Sequence, residues 1–116
     1  MDFEGLMRKA CKDISNYGEE FAKYRPIANN LYELRKTILS SEMVKNEGKS
    51  MAEKEMLGRT SKEYITHIDG WTAAEQKAMT AYAKLEAAKA RFDALRSLCS
   101  LEKKAIETFE YQPKGE

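Results

Sequence analysis

The feature that most constrains this chain is a spacing. Along its last third, apolar residues recur at alternating intervals of three and four. One series reads Trp71, Ala78, Leu85, Phe92, Cys99 and Ile106. The other reads Ala74, Ala81, Ala88, Leu95, Glu102 and Phe109, and Glu102 is the one polar member of the twelve. This rhythm lays all of them on one face of a helix. A helix over about 72–110 would be on the order of 57 Å long at 1.5 Å per residue. A compact domain of this size is only roughly 26–28 Å across. The spacing therefore predicts an all-α fold, an elongated helical hairpin or bundle with coiled-coil-like packing built on one long C-terminal helix. Its first half is rich in alanine, which allows close approach of large partners. Its second half carries Phe92, Leu95, Leu98, Leu101, Ile106 and Phe109, which need a broader apolar environment than one helix provides.

The same rhythm starts at the N-terminus. Phe3, Ala10, Tyr17, Tyr24, Leu31 and Ile38 stand seven apart, interleaved with Met7, Ile14, Phe21 and Ala28. Arg35 breaks the second series, and the neighbouring Leu34 is expected to take its place. Pro26 lacks a backbone donor and biases Arg25 away from helical dihedrals. The expectation is two helices, about 3–24 and 26–45, with Pro26 in the first turn of the second. A single kinked helix is the alternative, because the seam keeps its phase through the proline. The large side chains Phe3, Tyr17, Phe21, Tyr24 and Tyr32 suit the alanines of the long helix, so antiparallel packing of the two is expected.

The middle is punctuated. "NEGKS" (46–50) is a loop. Ser50 with Glu53, Thr60 with Glu63, and Thr72 with Glu75 each fit the capping box, in which a hydroxyl satisfies a free first-turn N–H. Gly58 and Gly70 precede the second and third of these starts. Short helices are expected over about 51–57 and 61–69, folding over one end of the bundle, and the tail 111–116 is expected to fray. No stretch alternates as a strand would. The 116 residues make one helical domain.

Composition bounds the chemistry. The 20 Lys+Arg nearly cancel the 19 Asp+Glu, for a formal net charge of +1. A protein relying on phosphate neutralisation would show a larger basic excess. No segment approaches the roughly 20 apolar residues of a membrane span, so no membrane association is expected and the location is read as cytoplasmic. Cys11 and Cys99 both fall at apolar helical positions and are read as buried free thiols. His67 is the only histidine; with no Cys or second His nearby it is not expected to bind metal. Side chains two apart on a helix do not face each other, so Asp69 does not orient it. There is no phosphate-binding glycine loop, nucleophile elbow or Cys/His cluster. No catalytic residue, cofactor or small-molecule substrate is therefore expected.

What remains are the flanks. Lys89, Arg96 and Lys103 stand at sevenfold spacing beside the seam of the long helix, Arg91 lies on its other side, and Arg59 and Lys62 lie near the middle turn. These six are the candidate contacts to DNA or an acidic partner. Trp71, Leu85, Phe92, Leu95, Ile106 and Phe109 are the candidate assembly seam. A small chain spread along long helices has a poor ratio of volume to surface, which predicts a homodimer or a protein partner.

The stretch from Gly48 to Ile106 resembles small helical proteins encoded in early regions of tailed phages and prophages, beside single-strand annealing recombinases, exonucleases or single-strand binding proteins. Ser50, Glu53, Glu55, Ser61, Tyr64, Lys89, Phe92, Leu95, Arg96 and Ser97 carry the likeness, which covers about half the chain. The resemblance implies a non-enzymatic accessory role in phage DNA recombination or replication, exerted by binding DNA or a DNA-processing protein. The alternative is a phage-encoded inhibitor of a host nuclease or defence complex.

Overall fold

A computed structural model describes residues 1–110, with Phe109 and Glu110 described as helical backbone only. It holds three helices: α1 (Phe3–Val44), α2 (Met51–Arg59) and α3 (Lys62–Glu110). No strand occurs among the described residues. The all-α class with one long C-terminal helix is as the spacing predicts. The expected fraying of 111–116 lies outside the described residues.

Three boundaries differ from expectation, the first two because tertiary packing outweighs a local signal and the third because of local capping in the turn. First, α1 runs unbroken through Pro26. Pro26 is exposed, and the seam stays in phase on both sides of it, with Tyr24, Arg25 and Ala28 all turned toward the protein. Breaking the helix there would rotate one half of the seam away from α3. Second, the helix expected over 61–69 and the long helix are one element. The Thr72/Glu75 box is unused, and Gly70 sits inside α3 with nothing within 4 Å of where its Cβ would be. An interior glycine costs a helix about 1 kcal/mol. Glu75 instead accepts a two-pronged contact from Arg25, at 2.8 and 3.3 Å. Third, the break between α2 and α3 comes two to three residues after Gly58. The Thr60 hydroxyl donates back to the Met56 and Leu57 carbonyls and closes α2. Ser61, one residue beyond the expected Thr60, caps α3 by accepting the Tyr64 N–H at 3.2 Å. Ser50 caps α2 as predicted, accepting the Glu53 N–H at 3.2 Å.

The chain divides into two compact units, one of residues 19–81 and one of 1–18 with 82–116. In the first, α1 and α3 pack antiparallel. Arg25 pairs with Glu75, the Tyr32 and Trp71 rings lie 5.3 Å apart, and His67 Nε2 donates to the Leu31 carbonyl at 2.6 Å. Ala28, Ala74, Ala78 and Ala81 are buried between the helices. The Tyr24 ring carries the Lys77 ammonium at 5.2 Å. α2 folds back on the end of α1, and the closest approach is at Gly58. A Cβ there would sit 2.9 Å from Leu39 Cδ1 and 3.1 Å from Met43 Cγ. Gly48, at φ +80°, turns the loop between α1 and α2.

In the second unit α1 and α3 are again antiparallel. Lys84 lies over the Tyr17 ring at 5.6 Å and Arg91 reaches Asp13 at 3.3 Å. Ala10, Ala88 and Leu95 are buried here. The small-against-large match expected of the two helices is thus present in each unit. It is thin. Among the described residues, Leu95 (9% exposed) is the only large apolar side chain that is buried, and no large side chain is fully enclosed. Each buried CH2 contributes about 0.8 kcal/mol, so an alanine seam supplies little hydrophobic stabilisation.

Candidate functional site

Arg59 and Lys62 belong to the first unit; Lys89, Arg91, Arg96 and Lys103 belong to the second. Within each unit the bases stand among acids. Arg59 pairs with Glu55 at 2.8 Å, Lys89 with Glu86 at 3.2 Å, Arg91 with Asp13 at 3.3 Å and Arg96 with Asp93 at 3.8 Å. Lys62 and Lys103 are exposed and have no ion-pair partner among the described residues. Lys89, Arg96 and Lys103 do form one row down α3, with Arg91 on the opposite side of the seam, as their spacing requires. Glu86 and Asp93 lie beside that row, so it presents alternating charge. The Glu55 carboxylate holds the Arg59 guanidinium firmly protonated. These pairs lie at the surface, where solvent screens them and each contributes little to stability.

The assembly seam divides. Trp71, Leu85 and Phe92 are half-buried and Leu95 is buried, so these four serve the fold of their own units. Ile106 is 52% exposed, and the Phe109 side chain lies outside the described residues. Beyond Cys99 the seam pattern continues on α3, yet residues 101–108 are all exposed.

Two sequence expectations about the seam are corrected. Leu34 does not substitute for Arg35: it is 48% exposed, while Arg35 keeps the seam position by stacking its guanidinium 4.1 Å from the Tyr32 ring. The two thiols are not buried either. Cys11 is exposed and Cys99 half-exposed, because Cys11 stands one residue past the seam position held by Ala10. Tyr64 is half-buried.

A feature that sequence reasoning missed is Glu42, 4% exposed at the turn end of the first unit. Lys45 Nζ lies 2.5 Å from it. That ammonium, with the side chains of Glu63 and Ser61, holds the Glu42 carboxyl below its ordinary range against the upward push of burial. Glu42 in turn raises Lys45. The signal was present: Glu42 continues the row Met7, Ile14, Phe21, Ala28, Arg35 at intervals of seven. Chemically the cluster is a satisfied polar plug in a seam, and no buried polar side-chain atom among the described residues lacks a partner. No three His, Cys, Asp or Glu side chains gather as a metal ion requires among the described residues. None of the helices is long and apolar enough to cross a membrane among those residues.

No protein-family model, curated protein or solved structure matches the chain.

Proposed function

We propose that this chain is a non-enzymatic interaction protein that acts by covering its open apolar faces with protein partners. The observation that carries this is the imbalance of its burial. Leu6, Leu34, Leu98, Leu101, Ile65 and Met79 are 42–62% exposed, in a chain whose described core is mostly alanine. Large apolar side chains held on rigid helices, rimmed by charge, fit association with other helices. In the setting that the resemblance implies, the partner is a DNA-processing protein of phage recombination or replication, and the role is accessory. Contact through protein is favoured over a direct grip on DNA by the charge pattern. Four of the six candidate bases already face acids, and a phosphate backbone would have to compete with each.

The test has two arms. Fluorescence anisotropy with labelled single-stranded and duplex DNA, at about 50 and 200 mM salt, should show no binding that collapses steeply with salt. Purified chain should bind an annealing recombinase, exonuclease or single-strand binding protein, with nuclease treatment leaving the complex intact. Steeply salt-dependent DNA binding that Arg91→Glu and Arg96→Glu abolish would overturn the protein-contact reading. Capture of a host nuclease or defence complex in place of those proteins would overturn the recombination role in favour of inhibition.

A further inference from the structure

In the second unit, α3 carries an apolar stripe that its own α1 does not cover. Leu98 is 47% exposed and Leu101 62% exposed, and exposed Ala94 stands one turn before Leu98. An α-helix turns about 100° per residue, which places these three on one narrow face. Leu6 of α1, 42% exposed, borders the groove that Arg91 and Leu95 line, and so extends the face toward α1.

The charges beside this stripe are ordered. On its α1 side stand Arg91 and then, three turns later, Glu102. On its far side stand Asp93 and then Lys104. All four are exposed, and neither Glu102 nor Lys104 has an ion-pair partner among the described residues. One shoulder thus reads base then acid, and the other acid then base. In two antiparallel helices related by a twofold axis, each shoulder meets its own copy running the opposite way. Reversal lays base on acid on both shoulders. With the axis close to Leu98, the two Leu98 side chains meet and Leu101 falls beside Ala94 of the second copy. Glu102 then lies within about one helical turn of Arg91, and Lys104 within about one turn of Asp93, across the interface. Large against small in the seam, with complementary charge on both sides, is the arrangement of an antiparallel helix pair. A polyanion would meet an acid on each shoulder, Glu102 on one and Asp93 on the other.

We infer that a second copy of this chain docks here, α3 against α3, antiparallel and centred on Leu98. This deepens the proposed interaction role by naming one partner and one face, and its test needs only the purified chain, with neither DNA nor a recombination protein present. Sedimentation equilibrium should show a dimer for the unaltered chain. Leu98→Asp should raise the dissociation constant about 30-fold or more, as removal of a central anchor does, with the helical circular-dichroism signal unchanged. Lys104→Glu should weaken the dimer about 5-fold, and adding Asp93→Lys to it should restore it. A chain that stays monomeric at all accessible concentrations overturns the inference. So does a well-folded Leu98→Asp variant that dimerises normally, or a charge swap that weakens the dimer further. The swap involves exposed side chains only, so it keeps the register testable if Leu98→Asp fails to fold.

Discussion

Pro26→Ala tests the helix geometry directly, because the two ways of building the N-terminal segment give opposite results. In an unbroken α1, Pro26 is an interior proline. Its ring crowds the carbonyl of Ala22, and the bond that carbonyl would receive from residue 26 is missing. Proline is about 3 kcal/mol less favourable than alanine at such a position. The site is exposed and its neighbours Tyr24, Arg25 and Ala28 face inward, so an alanine methyl disturbs no packing. The full propensity difference should therefore appear as stability. For 116 residues the unfolding entropy near 60 °C is about 0.24 kcal/mol/K, and about 3 kcal/mol corresponds to a rise in Tm of about 12 °C. Thermal unfolding followed by circular dichroism, with urea titration to obtain the free energy at constant slope, measures it. Were the chain broken before residue 26, Pro26 would sit in the first turn of a second helix, where its fixed φ helps. Its replacement would then be neutral or destabilising. A Tm that stays put or falls refutes the continuous helix.

Other outcomes follow from particular residues. Gly70→Ala, with open space at the Cβ, should stabilise by about 1 kcal/mol. Gly58→Val, whose Cβ would press on Leu39 and Met43, should destabilise by about 1–3 kcal/mol in urea titrations; equal responses at the two glycines would contradict the close approach of α2. Glu42 has its folded pKa below the ordinary 4.5, so its contribution is complete above the unfolded value and is lost as pH falls through the lowered folded value. Glu42→Gln should therefore be less stable than the unaltered chain near neutral pH and converge with it in acid. A difference independent of pH would remove Lys45 from the explanation.

The seam could be read from the sequence because side-chain spacing reports directly on which face a helix buries. Phe3 to Ile38 and Trp71 to Cys99 lie where their intervals put them. What misled were local signals with alternative uses. Pro26, Gly58 and Gly70 each mark a helix end in isolation. At Pro26 and Gly70 the packing of flanking turns outweighs the local cost, and Gly58 is small because α2 meets α1 there. Thr72 and Glu75 have the spacing of a cap, but Arg25, fifty residues earlier, claims the carboxylate. Thr60 and Ser61 are adjacent hydroxyls, and which one ends α2 and which one starts α3 depends on the turn, not on residue type. The exposed stripe of Leu98 and Leu101 was visible as apolar residues beside the seam. That α1 leaves it open depends on where α1 packs, with Asp13 against Arg91 and Leu6 lining the same groove.

In the proposed role this chain completes its burial through other proteins, beginning with a copy of itself. Multi-angle light scattering of the full chain across a concentration series tests it most directly. The mass should rise with concentration to twice the 13.3 kDa of one chain, and a Leu98→Asp variant should stay at the mass of one chain while keeping its helical signal. A mass of one chain at every concentration would contradict it.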